Sequence, residues 1–256
     1  MNEFESGRGF LKAVQWQEGA RSASDQQRGV PQPAVELPAP DGANVVDLVS
    51  PDDLSVGDVP LNQAIRGRRS RRRFTEALLS LEELSFLLWA TQGVQKVIRD
   101  GYATLRTAPS AGARHPFETY LLVQRVHGLE PGLYRYLSLE HKLCYLRDVP
   151  DLSAKVSEAC LGQEFVGQAA VVFAWAAVPY RTEWRYAGRS HKVIAIDVGH
   201  VCQNLYLACE AIGAGTCAIG AYHQERTDSL LGVDGDEQFA IYLAPVGKLT
   251  PADKAR

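Results

Sequence analysis

Ala169-Ala170-Val171-Val172-Phe173-Ala174-Trp175-Ala176-Ala177-Val178 is apolar at every position. A strand exposed on one face alternates apolar with polar residues, so an unbroken apolar run of this length marks a strand buried on both faces. It belongs in the middle of a sheet with cover above and below. Upstream, residues 118–126 read as a strand, and Gly132–Tyr136 with Leu143–Leu146 read as a hairpin. Downstream, residues 215–222 and 239–246 read as two more strands. Helices are interleaved. Ser80-Leu81-Glu82-Glu83 is a capping box ahead of Leu84, Leu87, Leu88 and Trp89, and Gly93 ends that run. Residues 151–161 form a short helix. Asp197–Ile212 is a helix apolar on most sides, stopped by Gly213, which suits a core or a subunit interface. The pattern predicts an α+β fold, a mixed β-sheet covered by helices.

The 256 residues suffice for a sizeable core, with 46% of them hydrophobic. Residues 1–55 differ: Pro31, Pro33, Pro38, Pro40 and Pro51 fall among Gly, Ser, Asp and Gln. They predict a Pro-rich extended arm, partly ordered, before a globular domain over 56–256. Phe4, Phe10, Leu11 and Trp16 are its candidate anchors. The net charge of −3 argues against a nucleic-acid partner. The start shows no basic segment leading into an apolar one, and no run of about 18 apolar residues occurs, so neither a signal peptide nor a membrane helix is expected. Five cysteines without a C-x-x-C pattern fit reduced thiols in a cytoplasmic protein better than a disulfide framework or zinc site.

Against this acidic balance, Arg66-Gly67-Arg68-Arg69-Ser70-Arg71-Arg72-Arg73-Phe74 is a local excess of cation at a junction between two helices. Arg68, Ser70 and Arg72 alternate, so in extended backbone they point the same way. Guanidinium forks beside a hydroxyl match a phosphate dianion. Familiar alternatives are missing: there is no Walker-type phosphate loop, no G-x-S-x-G elbow and no paired-histidine metal motif. Gly213-Ala214-Gly215-Thr216-Cys217-Ala218 fits a dinucleotide fingerprint only loosely, since it leaves a helix and enters a strand. His200, one turn from Asp197, reads as a structural histidine.

Four stretches follow one another: Arg68–Phe74; Arg106 to Glu118, containing Pro109-Ser110-Ala111-Gly112-Ala113; Asp197-Val198-Gly199-His200-Val201-Cys202-Gln203-Asn204, running on to Gly220-Ala221-Tyr222; and Pro245-Val246-Gly247-Lys248, closing with Lys254-Ala255-Arg256. Over about residues 58–256 this set resembles the FMN-dependent nitroreductase family, with its Arg-Arg-Ser-x-Arg-x-Phe and Pro-Ser motifs. It is most similar to the branch of azoline dehydrogenases, which oxidise azoline-bearing peptides and read Pro-Ser-Ala-Gly-Ala and Asp-x-Gly-His-x-x-Gln-Asn.

The resemblance implies an intertwined homodimer with FMN sites at the subunit interface. It implies that Arg68, Arg69, Ser70 and Arg72, with Lys254 and Arg256, hold the phosphate and ribityl chain. Pro109, Ser110, Ala111, Gly112 and Ala113 would approach the flavin from the other subunit, and the Gly220-Ala221 backbone would serve N5. The implied activity is hydride transfer from NAD(P)H through flavin N5 to a small conjugated acceptor, a nitroaromatic or quinone. The alternatives are oxidation of azolines in a peptide-derived substrate and a flavin-bound scaffold without turnover. Arg185-Tyr186 stands where the azoline branch has Lys-Tyr, a pair tied to proton removal. Arginine stays protonated and makes a poor base, whereas Tyr186 can donate a proton or stack on substrate.

Overall fold

The computed structural model describes residues 3–13, 16 and 23–254. In chain order the helices are α1 (Glu3–Leu11), α2 (Leu61–Gly67), α3 (Leu81–Gln92), α4 (Leu152–Ala159), α5 (Glu164–Gly167), α6 (Tyr180–Tyr186), α7 (Ser190–Ala211), α8 (Gln224–Leu231) and α9 (Pro251–Lys254). The strands are β1 (Asn44–Asp47), β2 (Val94–Ile98), β3 (Ala103–Arg106), β4 (Phe117–Val123), β5 (Gly132–Leu137), β6 (Lys142–Arg147), β7 (Val171–Ala177), β8 (Ala214–Thr216) and β9 (Phe239–Lys248).

Seven strands form one sheet in the order β1-β6-β5-β4-β7-β9-β8, and β2 with β3 forms a separate hairpin. Neighbouring strands of the large sheet run antiparallel, while parallel pairing enters through single bridges such as Ser70 with Thr216. The fully apolar run is β7, with β4 on one side and β9 on the other. Its two-residue period divides the interior. Val171, Phe173, Trp175 and Ala177 enter one core with Leu84, Leu87 and Leu88 of α3 and Val198, Val201 and Leu205 of α7. Val172, Ala174 and Ala176 enter the other, with Val156 of α4 and Leu230 and Leu231 of α8. Helices thus cover both faces, which is why β7 has no polar position.

The capping box at Ser80 and Glu83 forms as the sequence indicates, each side chain bonding the other's backbone N–H. The long helix α7 begins at Ser190, seven residues before the Asp197 expected from its pattern. It is less uniformly covered than its composition suggests. Ala195, Ile196, Gly199, His200 and Gln203 are exposed, so His200 is a surface residue and not a core one.

Residues 23–48, within the segment expected as an extended arm, lie against the rest of the chain. Strand β1 pairs with β6 from Asn44–Tyr145 to Asp47–Lys142, so the sheet crosses the expected boundary at residue 55. Ahead of it, the proline-rich strap offers backbone carbonyls that no ladder uses, and three buried arginines take them. Arg181 Nε donates to Ala34 O at 2.9 Å, Arg106 Nη2 to Val35 O at 3.4 Å and Arg135 Nη2 to Leu37 O at 3.2 Å. Leu37 N–H in turn donates to Glu118 Oε1 at 2.9 Å, and that carboxylate pairs with Arg181. Prolines stop the strap from forming a strand, and the arginines supply the donors a neighbouring strand would have given. Among the described residues no helix is long and apolar enough to cross a membrane.

Candidate functional site

Two loops carry the residues singled out above, and α7 anchors both. The first leaves α2. Arg69 Nη1 turns back and donates to the carbonyls of Arg66 and Arg68, each at 2.9 Å, so this exposed side chain braces its own loop. Arg71 N–H donates to Thr216 O at 2.9 Å, which fixes the stretch against β8 as extended backbone. The hydroxyl of Ser70 lies 3.1 Å from that of Tyr206 on α7, and the Arg68 guanidinium sits over the Tyr206 ring, 5.4 Å from its centroid. Among the described residues Arg68 and Arg72 have no carboxylate partner.

Tyr206 also reaches the next element: its hydroxyl oxygen accepts from Ala218 N–H at 2.8 Å. From there the chain runs through Ile219, bridged to Leu243, to Gly220 and Ala221, both exposed. A Cβ on Gly220 would meet only the Tyr242 ring, at 3.8 Å. The fold itself therefore does not require glycine there, and the open space beside it can admit a flat group. The carbonyl of Ala221 accepts from Gln163 Nε2 at 3.0 Å.

The second loop, residues 109–115, is strained. Gly112, Ala113 and His115 all have positive φ, at 60°, 53° and 44°. Such backbone persists where its surroundings over-determine it. Asp197 Oδ2 accepts from Ser110 Oγ at 2.6 Å and from Ala111 N–H at 2.9 Å. His115 N–H donates to Ser110 Oγ at 2.9 Å, and its Nε2 donates to Thr104 O at 3.0 Å. Burial, followed by the nearby Arg106 charge, pushes the His115 pKa down to about 3, so the ring is neutral. Arg114 donates to Gly112 O and Tyr102 O and stacks over Tyr102 and Trp184. Burial raises the Asp197 pKa, while the bonds from Ser110 and Ala111 and the charge of His200 pull it down.

Gly112 has a reason within the chain itself, beside the one its motif suggests. Besides its positive φ, a Cβ there would lie 2.7 Å from the Tyr186 hydroxyl and 2.8 Å from Arg185 Cδ and Nε. The chain's own α6 fills the space. Arg185 Nη1 reaches Tyr102 OH at 3.5 Å, and its Cζ lies 5.7 Å from the centre of the Tyr186 ring. Trp16 packs edge-on against Tyr186 at 5.6 Å and lies under Arg189. Arg185 and Tyr186 are thus brought to Ser110–Ala113, while Pro109 is exposed beside them.

One chain does not bring the two loops together. Asp197 and Tyr206 are nine residues apart on α7, which places them about 14 Å apart along the axis and on opposite sides of the helix. Along the C-terminal half of α7 lies an open groove of about 390 Å³ whose lining includes Val59, Leu61, Phe86, Trp89, Leu207 and Ala211. The arginine of the Lys-x-Arg ending, Arg256, and the Lys254 side chain lie outside the described residues. Among the described residues no cluster of three or more His, Cys, Asp or Glu is placed to hold a metal, and the five cysteines are buried and free.

Asp197 was visible in sequence as part of a motif but carried no assigned role. Tyr206 carried none either; its only signal was a phenol on an otherwise apolar stretch of helix. Tyr102 and Arg114 had no signal of their own.

The nitroreductase family model matches residues 65–248. A nitroreductase-type protein of Methanocaldococcus jannaschii is 32% identical over 205 residues, covering 80% of this chain and 98% of that protein. The trifolitoxin-processing protein TfxB of Rhizobium leguminosarum bv. trifolii is 30% identical over 166 residues, 61% of this chain; the match spans 44% of TfxB. A nitroreductase-type crystal structure from Ralstonia eutropha superposes with a TM-score of 0.66 at 27% identity, covering 86% of this chain and 94% of that one. The fold also recurs, with a TM-score of 0.60 and 16% identity over 93% of this chain and 82% of that one, in the E. coli microcin synthetase McbBCD complex with truncated pro-MccB17 bound. The order of strands around β7, the two α7-anchored loops and the family match over residues 65–248 agree: the chain belongs to the nitroreductase family of oxidoreductases.

Proposed function

We propose that the protein is an FMN-dependent oxidoreductase that takes hydride from NAD(P)H and passes it to a small conjugated acceptor. The observation that carries this reading is the loop beside Tyr206. Arg68 and Arg72 lack carboxylate partners among the described residues, Ser70 lies between them in sequence, and the open backbone of Gly220-Ala221 joins the same neighbourhood through Ala218. A flavin nucleotide asks for this set: cations and hydroxyls for a phosphate of roughly −2 charge, and unhindered backbone beside a flat ring. The donor set therefore fits FMN. When bound, FMN supplies the hydride chemistry, and the protein contributes binding, orientation and electrostatics.

In this reading Arg68, Ser70 and Arg72 hold the phosphate and ribityl end, and Gly220-Ala221 offers backbone to the ring. Pro109–Ala113 approach the flavin from the other subunit, with Arg185 and Tyr186 beside them on the substrate side. Because the two loops of one chain lie on opposite sides of α7, each site is completed by a second copy, and the apolar groove along α7 is the surface that copy covers. The Arg185 guanidinium offers a cation to an acceptor's oxygen, and the Tyr186 hydroxyl offers a hydrogen-bond donor or a ring to stack on beside it.

Visible absorbance of the purified protein and of Arg68→Ala/Arg72→Ala tests the assignment. We expect bound flavin in the first and none in the second, and stopped-flow reduction with NADH and NADPH identifies the donor. A double variant that retains its full flavin complement would overturn the phosphate assignment. A second reading, oxidation of azolines in a modified peptide, is favoured by the 30% identity to the trifolitoxin-processing protein. Loss of two hydrogens from an azoline peptide, followed by mass spectrometry, distinguishes it.

A further inference from the structure

We propose that Tyr206 is a positioning residue that turns the Ser70 hydroxyl into an outward-facing donor to the flavin phosphate. The inference rests on the FMN reading and goes one residue deeper. It follows from counting protons. A phenol carries one. The backbone N–H of Ala218 can only donate, and it does so to Tyr206 OH at 2.8 Å, so the phenol oxygen is the acceptor there. The phenol keeps its own proton to give, and the Ser70 Oγ lies 3.1 Å away; the contact itself allows either hydroxyl to donate, and in our proposal Tyr206 is the donor. Ser70 accepts that proton, which leaves the serine proton free on an exposed residue. The reverse arrangement would point the lone pairs of Ser70 at the incoming anion, which a phosphate disfavours. The Arg68 guanidinium lies over the same ring at 5.4 Å, so one side chain of α7 sets both a cation and a hydroxyl donor on the loop.

Tyr206 also steadies Ala218, two residues before Gly220, and a purely structural role must be separated from the proposed one. Riboflavin makes that separation, since it has the ring and ribityl chain of FMN without the phosphate. The experiment measures the affinities of FMN and riboflavin, by quenching of flavin fluorescence, for wild type, Tyr206→Phe, Ser70→Ala and the double variant. Tyr206→Phe keeps the ring beneath Arg68 and removes the hydroxyl alone. Ser70 is exposed, so Ser70→Ala leaves the fold intact. A hydrogen bond to a charged group predicts that Tyr206→Phe weakens FMN by about tenfold. Riboflavin binding stays unchanged, and the double variant matches Ser70→Ala alone. Equal weakening of both flavins, unchanged FMN affinity, or multiplying effects of the two substitutions would each overturn the proposal while leaving the FMN reading standing. A wild type that binds neither flavin overturns both.

Discussion

Gly112 and Gly220 are both glycines of candidate cofactor loops, and the structure predicts opposite consequences for replacing them with alanine. At Gly112, φ is +60°, where an L-residue costs about 1–2 kcal/mol. The reduced freedom of the unfolded chain returns about 0.4–1 kcal/mol. The new methyl would also stand 2.7 Å from the Tyr186 hydroxyl, where ordinary contact begins at 3.4 Å, so Tyr186 and Arg185 must retreat. Together these give Gly112→Ala a net loss of about 1 kcal/mol, together with displacement of the pair on the substrate side. Gly220→Ala adds a methyl 3.8 Å from Tyr242 at a φ that is not positive, and its stability should stay within about 0.5 kcal/mol of wild type. If Gly220 leaves room for the flavin, that variant loses cofactor without losing stability. Urea unfolding followed by fluorescence gives the stabilities, and absorbance after gel filtration gives flavin retention. A Gly112→Ala variant as stable as wild type would refute the packing argument. A Gly220→Ala variant with full flavin would refute the assignment of that backbone to the cofactor.

Two further outcomes are expected. Glu118 and Arg181 are paired with side chains only 2% and 3% exposed, so Glu118→Ala, which strands a buried guanidinium, should cost about 3–5 kcal/mol in urea unfolding and open residues 23–38 to limited proteolysis; an unchanged digestion pattern would refute the docking of the strap. The raised pKa of Asp197 means that the folded state favours its protonated form, so its contribution to stability is greatest below the unfolded value of 3.8 and declines as pH rises through the folded pKa. Asp197→Asn should therefore gain stability relative to wild type over that rise and run parallel to it at higher pH, and a difference that moved the other way would refute the sign.

The places where sequence was readable share a physical cause. The apolar run of β7 and the capping box at Ser80 are local: period, propensity and turn chemistry act within a few residues, and the chain states them directly. The family motifs were readable for the same reason, as short ordered strings. What was missed is long-range. Strand β1 holds its place through pairing with β6, nearly a hundred residues away, and its four residues, Asn-Val-Val-Asp, carry no pattern long enough to declare a strand. The β2–β3 hairpin is the exception: its turn has Asp100-Gly101 at its centre, a local hairpin signal that the strand reading passed over.

By itself, then, the sequence determined a helix-covered sheet with β7 at its centre, a local cationic loop in an acidic chain, and the order of motifs that identifies the family. Tertiary structure alone decided how those motifs are used. It set Gly112 against Arg185 and Tyr186, docked a proline-rich strap on three buried arginines, and joined Ser70 to Ala218 through Tyr206. Each depends on which groups from distant parts of the chain meet once the apolar faces are buried, and a hydrogen bond across more than a hundred residues leaves no periodicity to read.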